Sequence, residues 1–405
     1  MANNSNKNKC NVPHLRFPEF SGEWEKNNLS KFSSKITKKN KGNVIQNVLC
    51  NSANLGIIPQ NDYFDRDIAN ADNTDSYYII EQGDFVYNPR KSTAAPYGPV
   101  NIYNGEKPGI ISPLYLCFSV LNISPSFLFY RFKSSVWHPY VYSHGDTGVR
   151  FDRVSIKDDV FFDMPIYTPT QNEQEKIATL LSLIDERIAT QNKIIEDLKK
   201  LKSAIIEKIF NEPHSNKIRL GDIGSYIRGL TYSNDDVVEQ DGVFVMRSNN
   251  IINGSSLDYQ HNIVSVNKQI LTEQQLQDGD IIICMANGSS SLVGKSSFYD
   301  GNCSIPITVG AFCGIYRSKE PIVKWLFQTS KYRRYIGNSL QGGNGAIANL
   351  NGDDILRMSF SIPDAPAKDN GVKLLTSLDT LLESNLLLYG LYTKQKKYLL
   401  RQMFI

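Results

Sequence analysis

Arg90 and Lys91, in the stretch Asn88-Pro89-Arg90-Lys91-Ser92-Thr93 that runs on to Tyr97, set two cations and several hydrogen-bonding groups in one polar loop. Guanidinium and ammonium groups suit the guanine edge of a DNA groove, while carboxamides suit adenine. A second such stretch is His144 to Arg153, with Arg150 and Arg153. Further along come Arg247 with Asn249 and Asn250, then Asn287 and Ser289 up to Lys295, then Asn344 to Asn349. Together these residues predict contacts to double-stranded DNA, although any one of them taken alone reads equally well as a solvated loop side chain. Lys38, Lys39 and Lys41 form a short cationic run that fits a wet surface as well as it fits phosphate.

Catalytic constellations are weaker. Asn88-Pro89 resembles the start of the Asn-Pro-Pro-aromatic motif of amino-methyltransferases, but Arg90 and Lys91 stand where the second proline and the aromatic belong. Gly342-Gly343-Asn344-Gly345 lacks the Lys and Ser/Thr of a phosphate-binding loop. The six cysteines include no CxxC pair and no partnering His cluster, which predicts reduced, mostly buried thiols and no metal. A self-contained DNA methyltransferase or nuclease stands as the alternative to a non-catalytic DNA reader, and a coiled-coil interaction protein without a DNA role is a third reading.

The elements that position these residues are written twice. An offset of 196 superposes Gly83-Asp84 on Gly279-Asp280, Gly98 on Gly294, Tyr103 on Tyr299, Cys117 on Cys313 and Ser134 on Ser330. An offset of 194 superposes Met164 on Met358, Pro169 on Pro363, Leu180-Leu181 on Leu374-Leu375, Asp185 on Asp379 and Lys202 on Lys396. Shared glycines and divergent intervening residues predict two similar platforms that read different things. In each copy, apolar strands flank a polar loop and short helical stretches follow (Ser126 to Ser134, Ile322 to Ile336), with a long helix closing the module.

Thr170 and Glu173 are spaced as a capping box for the first long helix. From Ile177 through Leu181, Ile184, Ile188, Gln191, Ile195, Leu198 and Lys202 to Ile209, steps of four and three trace a seam with polar breaks at Gln191 and Lys202. The second seam, from Gly371 through Leu375, Leu382, Asn385 and Lys396 to Met403, breaks at the same places. Gln191 facing Asn385 would fix the register of an antiparallel pair, while two helices each lying on its own domain is the competing arrangement.

A chain of 405 residues exceeds one ordinary core, which predicts two or three units. With 41% apolar and 21% charged residues it has the balance of a soluble globular protein, and no apolar run reaches membrane-spanning length, which predicts a cytoplasmic protein. A net charge of +3 excludes a simple polycation, so partners are expected to supply much of the attraction to DNA.

Pro13-His14-Leu15-Arg16-Phe17-Pro18-Glu19-Phe20 with Gly22-Glu23-Trp24, and Pro169 to Ile188 with Glu173-Gln174, Ile177, Leu181 and Asp185, set in the doubled arrangement, resemble the specificity subunits of Type I restriction-modification systems. The resemblance implies an α+β chain with two target-recognition domains, 1–168 and 212–362, separated by two long spacer helices, 169–211 and 363–405, packed as an antiparallel coiled coil. It also implies binding of a bipartite DNA target, two modification subunits that carry S-adenosylmethionine and methylate adenine, and restriction subunits that use ATP and Mg, with no cofactor on this chain. The second copy departs from the pattern, with Asp364-Ala365-Pro366-Ala367-Lys368-Asp369 in place of the Glu-Gln pair and Gly390 inside its helix.

Overall fold

The computed structural model describes residues 11–62, 74–145, 152–211, 215–340 and 348–405. The chain divides into two compact units, residues 1–192 with 387–405 and residues 193–386, so that each unit holds part of both long helices.

In the first unit, Glu25–Asn28 pairs antiparallel with Pro165–Thr168. One four-stranded sheet runs in the spatial order Ser33–Lys35, Leu116–Val120, Phe85–Tyr87, Val100–Ile102. A second runs Gly56–Pro59, Val48–Ser52, Gly109–Ile111, Tyr78–Ile80. The second unit repeats the plan, with Ser215–Arg219 on Ser359–Pro363 and a sheet of Gly224–Arg228, Cys313–Ser318, Ile281–Cys284 and Ser296–Phe298. Its other sheet is Val237–Val238, Val264–Val266, Val243–Met246, Ile307–Val309. One parallel strand pair recurs in that sheet, Val48 beside Ile110 at the centre in the first unit and Phe244 beside Ile307 at one edge in the second, while the remaining strands differ.

Alternation along the central strands divides the core. Phe85, Tyr87 and Phe118 face the helices and stack, with Phe85 on Phe118 at 5.3 Å and Tyr87 on Phe161 at 4.8 Å. Val86 and Cys117 face the other way, into a smaller cluster with Leu49, Ile80 and Ile111. Ile281 and Ile283 against Ile282, Cys284, Cys313 and Ile315 repeat this division. Both strands are therefore buried throughout, which explains why they read as unbroken apolar runs. The matched cysteines Cys117 and Cys313 are core residues, and burial pushes the Cys117 thiol up to about 12. Gly83 and Gly279 hold φ of +94° and +84° in the turn before these strands, a conformation L side chains rarely adopt.

The first expected short helical stretch, Ser126 to Ser134, forms as a single helix with a further short helix after it, whereas the second, Ile322 to Ile336, is broken in two. Pro125–Lys133 is followed by His138–His144, and Val323–Leu326 by Ser330–Leu340. The break in the second unit is made by Thr329, whose hydroxyl donates to the Leu326 carbonyl and accepts from the Tyr332 amide.

The long helices run Gln171–Phe210 and Ala365–Gln402, and the second continues through Gly390. On the expected seam Ile177, Leu181, Ile184, Gln191, Ile195 and Lys202 of the first helix and Gly371, Leu375, Leu382, Leu399 and Met403 of the second are buried. At the end of the first helix, however, Ile206 and Phe210 are buried in place of the expected Ile205 and Ile209, which are half-buried. In the second unit Lys202 meets Asp379 at 2.6 Å, and a Cβ at Gly371 would stand 3.2 Å from Ile209 Cδ1. Rising along one helix descends the other, so the pairing there is antiparallel. In the first unit Asp185 meets Lys396 at 2.5 Å, while Ile177 and Leu181 cluster with Leu399, Leu400, Met403 and Phe404. The lysines expected only as breaks in the seam are thus its ionic links, and they join residues that the 194 offset exchanges. Gln191 is buried in the first unit, whereas Asn385, in the second, is half-buried and donates to the Leu381 carbonyl of its own helix at 2.7 Å.

Glu173 departs from the expected cap. Its carboxylate is fully buried and takes two 2.7 Å bonds from the Arg16 guanidinium and one of 3.3 Å from Trp24 Nε1. Leu15 donates its backbone N–H to the carbonyl of Gln402 at 2.9 Å, so the opening segment is tied to both helices of its unit.

Asp379 also accepts from Lys324 at 2.9 Å and from Trp325 Nε1 at 3.3 Å, so two cations and an indole meet on one buried carboxylate. Asp379→Ala should strand Lys202 and cost about 3 to 5 kcal/mol, read as a lower urea midpoint at unchanged m-value. Lys202→Met combined with Asp379→Leu should cost much less than the single change; equal losses would reject the ionic account.

Candidate nucleic-acid interface

Two of the polar stretches singled out in the sequence come together in the first unit. Arg90 and Arg153 form an isolated antiparallel bridge, flanked by Lys91 N–H to Asp152 carbonyl at 2.8 Å and Val154 N–H to Pro89 carbonyl at 2.9 Å. In the second unit Ala286 pairs with Asn349 and Asn287 with Ala348, and Leu350 donates to the Met285 carbonyl at 2.8 Å. Both partners of the first bridge map on the second by the same offset of 196 residues. The repeat therefore extends to the main-chain bonds that hold the loops, whatever side chains they carry.

At the first bridge Arg90 is exposed and stands 3.8 Å from Asp152, a solvent-screened pair of small energetic weight. Lys91 is half-buried. Arg153 is half-buried, its Nε sealed from solvent with no hydrogen-bond partner among the described residues. Burial, with the neighbouring Cys50 thiol, lifts the Tyr115 phenol against the lowering pull of Arg153 and Arg90, so both guanidinium charges act on this ring. Ser92 caps a tight turn by accepting from the Ala95 amide at 3.1 Å. Tyr97 packs on His138 at 4.8 Å, and its carbonyl accepts from the Tyr87 hydroxyl at 2.9 Å. Gly98, at φ +85°, passes so close to the Asn88 carbonyl that any side chain would collide with it. Arg150 lies outside the described residues.

In the second unit Arg247, Ser248 and Asn287 line a cleft of 510 Å³ with Tyr232, Asn234, Gly310 and Phe312. Asn287 donates to the Ser248 hydroxyl at 3.2 Å and accepts from the Ser289 amide at 3.0 Å, which aims its amide along the cleft. Arg247 is exposed and reaches the Asn262 carbonyl at 3.4 Å. Asn249, Ser289 and Asn349 are exposed. Lys295 sits apart, half-buried in a separate cleft with Asn253, Ser291 and Arg333. Asn344 lies outside the described residues.

Asn250 departs from its expected role. It is 0% exposed, its amide donates to the carbonyls of Asp258 and His261 at 3.0 and 2.8 Å, and its oxygen accepts from the Arg247 amide at 2.9 Å. It braces the loop that carries Arg247 and has nothing left for a ligand. Phe312, 68% exposed in the cleft, is the main residue that the sequence left unmarked. Its one signal is that an aromatic precedes the matched Cys313, where the first copy has Leu116, 8% exposed.

Solved structures now give the architecture a counterpart. The S subunit of a Type I restriction-modification system from M. genitalium superposes with a TM-score of 0.59 at 15% identity, over 97% of this chain and 99% of that one. A chain from a structure concerned with complex assembly and conformational transition of the type I R-M system gives 0.56 at 12% identity, with the same coverage. The chain has the Type I S-subunit fold. In sequence it is similar to the Type I restriction enzyme EcoKI specificity subunit of Escherichia coli K12, 33% identical over 173 residues. It is likewise 32% identical over 172 residues to the StySPI specificity subunit of Salmonella potsdam. Each match covers 40% of this chain and 34% of the relative's length. No family model matches the chain.

Within the S-subunit fold the Asn250 brace gives a direct check. Asn250→Ala should cost about 1 to 3 kcal/mol by removing a buried amide that bonds three backbone groups of its loop, and should speed hydrogen exchange across 247–262. Unchanged exchange there would show that the loop is held by something else.

Proposed function

We propose that this chain is the sequence-reading subunit of a Type I restriction-modification complex, working in the cytoplasm on a bipartite double-stranded DNA target. The observation that carries this reading is the doubled strand bridge. Two platforms with matching backbone geometry present different polar side chains, Arg90, Lys91 and Arg153 on one and Asn287, Asn349 and Arg247 on the other. Recognition of two unlike half-sites by one chain calls for that combination. The likeness to specificity subunits supports the same reading.

On this reading the chain reads bases and leaves the chemistry to its partners, modification subunits with S-adenosylmethionine and restriction subunits with ATP and Mg. The long helices offer those partners a surface. Leu374 and Leu381 in the second unit are 48% exposed, seven residues apart and off the buried seam. Leu391 and Tyr398 repeat the same spacing in the first unit, at 49% and 58% exposure. Exposed leucines at heptad spacing suit the apolar face of a partner helix.

Purified chain with DNA and labelled S-adenosylmethionine should show no methyl transfer until modification subunits are added; transfer by the chain alone would instead support the self-contained enzyme. Leu374→Asp with Leu381→Asp should abolish co-purification of a modification subunit while leaving the fold intact by circular dichroism. Retained co-purification would move the docking surface elsewhere. Exchanging residues 212–362 for those of a homologue should change one half of the methylated sequence, and changes in both halves would show that the units read jointly.

A further inference from the structure

We infer, on the reading above, that the two units discriminate bases by different chemistry, and that the first unit selects guanine through Arg90 and Arg153. The equivalence of positions makes the comparison direct. Arg90 and Arg153 occupy the bridge places held by Ala286 and Asn349, and Lys91 the place held by Asn287. The first bridge carries three cations beside the single carboxylate of Asp152, whereas Ala286, Asn287, Ala348 and Asn349 of the second are uncharged, with Arg247 lining the same cleft as Asn287 from another loop. Since the backbone bonds are the same at both bridges, the difference lies in what each edge offers a ligand.

Two features favour base reading over a phosphate clamp for the first edge. Arg90 and Arg153 are fixed opposite one another by the bridge, and Arg153 is further held by its half-buried position, with its Nε sealed from solvent. A guanidinium whose Nε is sequestered can offer a ligand only its two terminal nitrogens, a fork that matches the O6 and N7 acceptors of guanine. The Arg90 contact to Asp152 is long and exposed, so DNA can displace it at little cost.

The test uses the full chain assembled with its modification subunits. The target is first mapped from the methylated bases of host DNA, and exchange of residues 1–168 assigns one half-site to the first unit. Duplexes are then made in which each guanine of that half-site is replaced in turn by 7-deazaguanine, which pairs normally but lacks the N7 acceptor. At least one replacement should weaken binding roughly 10- to 100-fold. Arg90→Lys or Arg153→Lys should erase that discrimination while assembly, checked by co-purification, persists. Indifference to every 7-deazaguanine would overturn the guanine assignment. So would Arg90→Ala and Arg153→Ala variants that weaken all sequences alike and flatten the salt dependence, since that pattern marks phosphate contacts. Failure of any assembly to bind DNA sequence-specifically would sink the proposed function itself, an outcome distinct from binding that ignores the guanine N7.

Discussion

The Asp379 carboxylate, 7% exposed, is the constraint on which the second unit is built. A buried carboxylate costs several kcal/mol unless cations and donors surround it, and here Lys202, Lys324 and Trp325 converge on it from two elements. Lys202 belongs to the first long helix, while Lys324 and Trp325 belong to the short helix packed beneath the sheet. Satisfying one charge therefore sets the helix register and fastens the globular part to the helices at once. Asp185 repeats the device in the first unit, more exposed, with Lys396 on one side and the Tyr130 hydroxyl at 2.9 Å on the other. The strand bridges that present the candidate reading residues hang from sheets held in this way.

Much of this is legible in the sequence because local pattern and repeat carry it. The seam positions, the strand runs after Gly83 and Gly279 and the equivalence of the two copies all follow from spacing, and the 196 offset holds down to the bridge pairs. What escapes is whatever depends on meetings between distant segments. Lys202 and Lys396 read as interruptions because the acids that neutralise them lie on the other helix. Glu173 reads as a cap because its true partner, Arg16, is 157 residues away. Asn250 reads as a base contact because a polar loop residue and a buried brace have the same composition; the burial that separates them arises only on folding.

The two sheets of each unit differ in how far they have diverged. The sheet packed on the helices keeps its strand order in both copies, since its central strands are buried on both faces and a changed register there would expose the aromatic core. The outer sheet keeps one parallel pair, central in the first unit and at the edge in the second, and rebuilds the rest, with the hairpin strand Gly56–Pro59 in one unit and Val264–Val266 followed by Val237–Val238 in the other. Divergence is thus concentrated where strands border solvent and fewer neighbours constrain them.

The bridges at Arg90–Arg153 and Ala286–Asn349 are made by main-chain atoms, so an arginine pair and an alanine–asparagine pair are held by the same bonds. Mutational drift at those positions is consequently decoupled from folding. On the proposed function, selection could rewrite what such an edge recognises through single nucleotide changes, and new specificities could arise by small steps as well as by wholesale exchange of a unit.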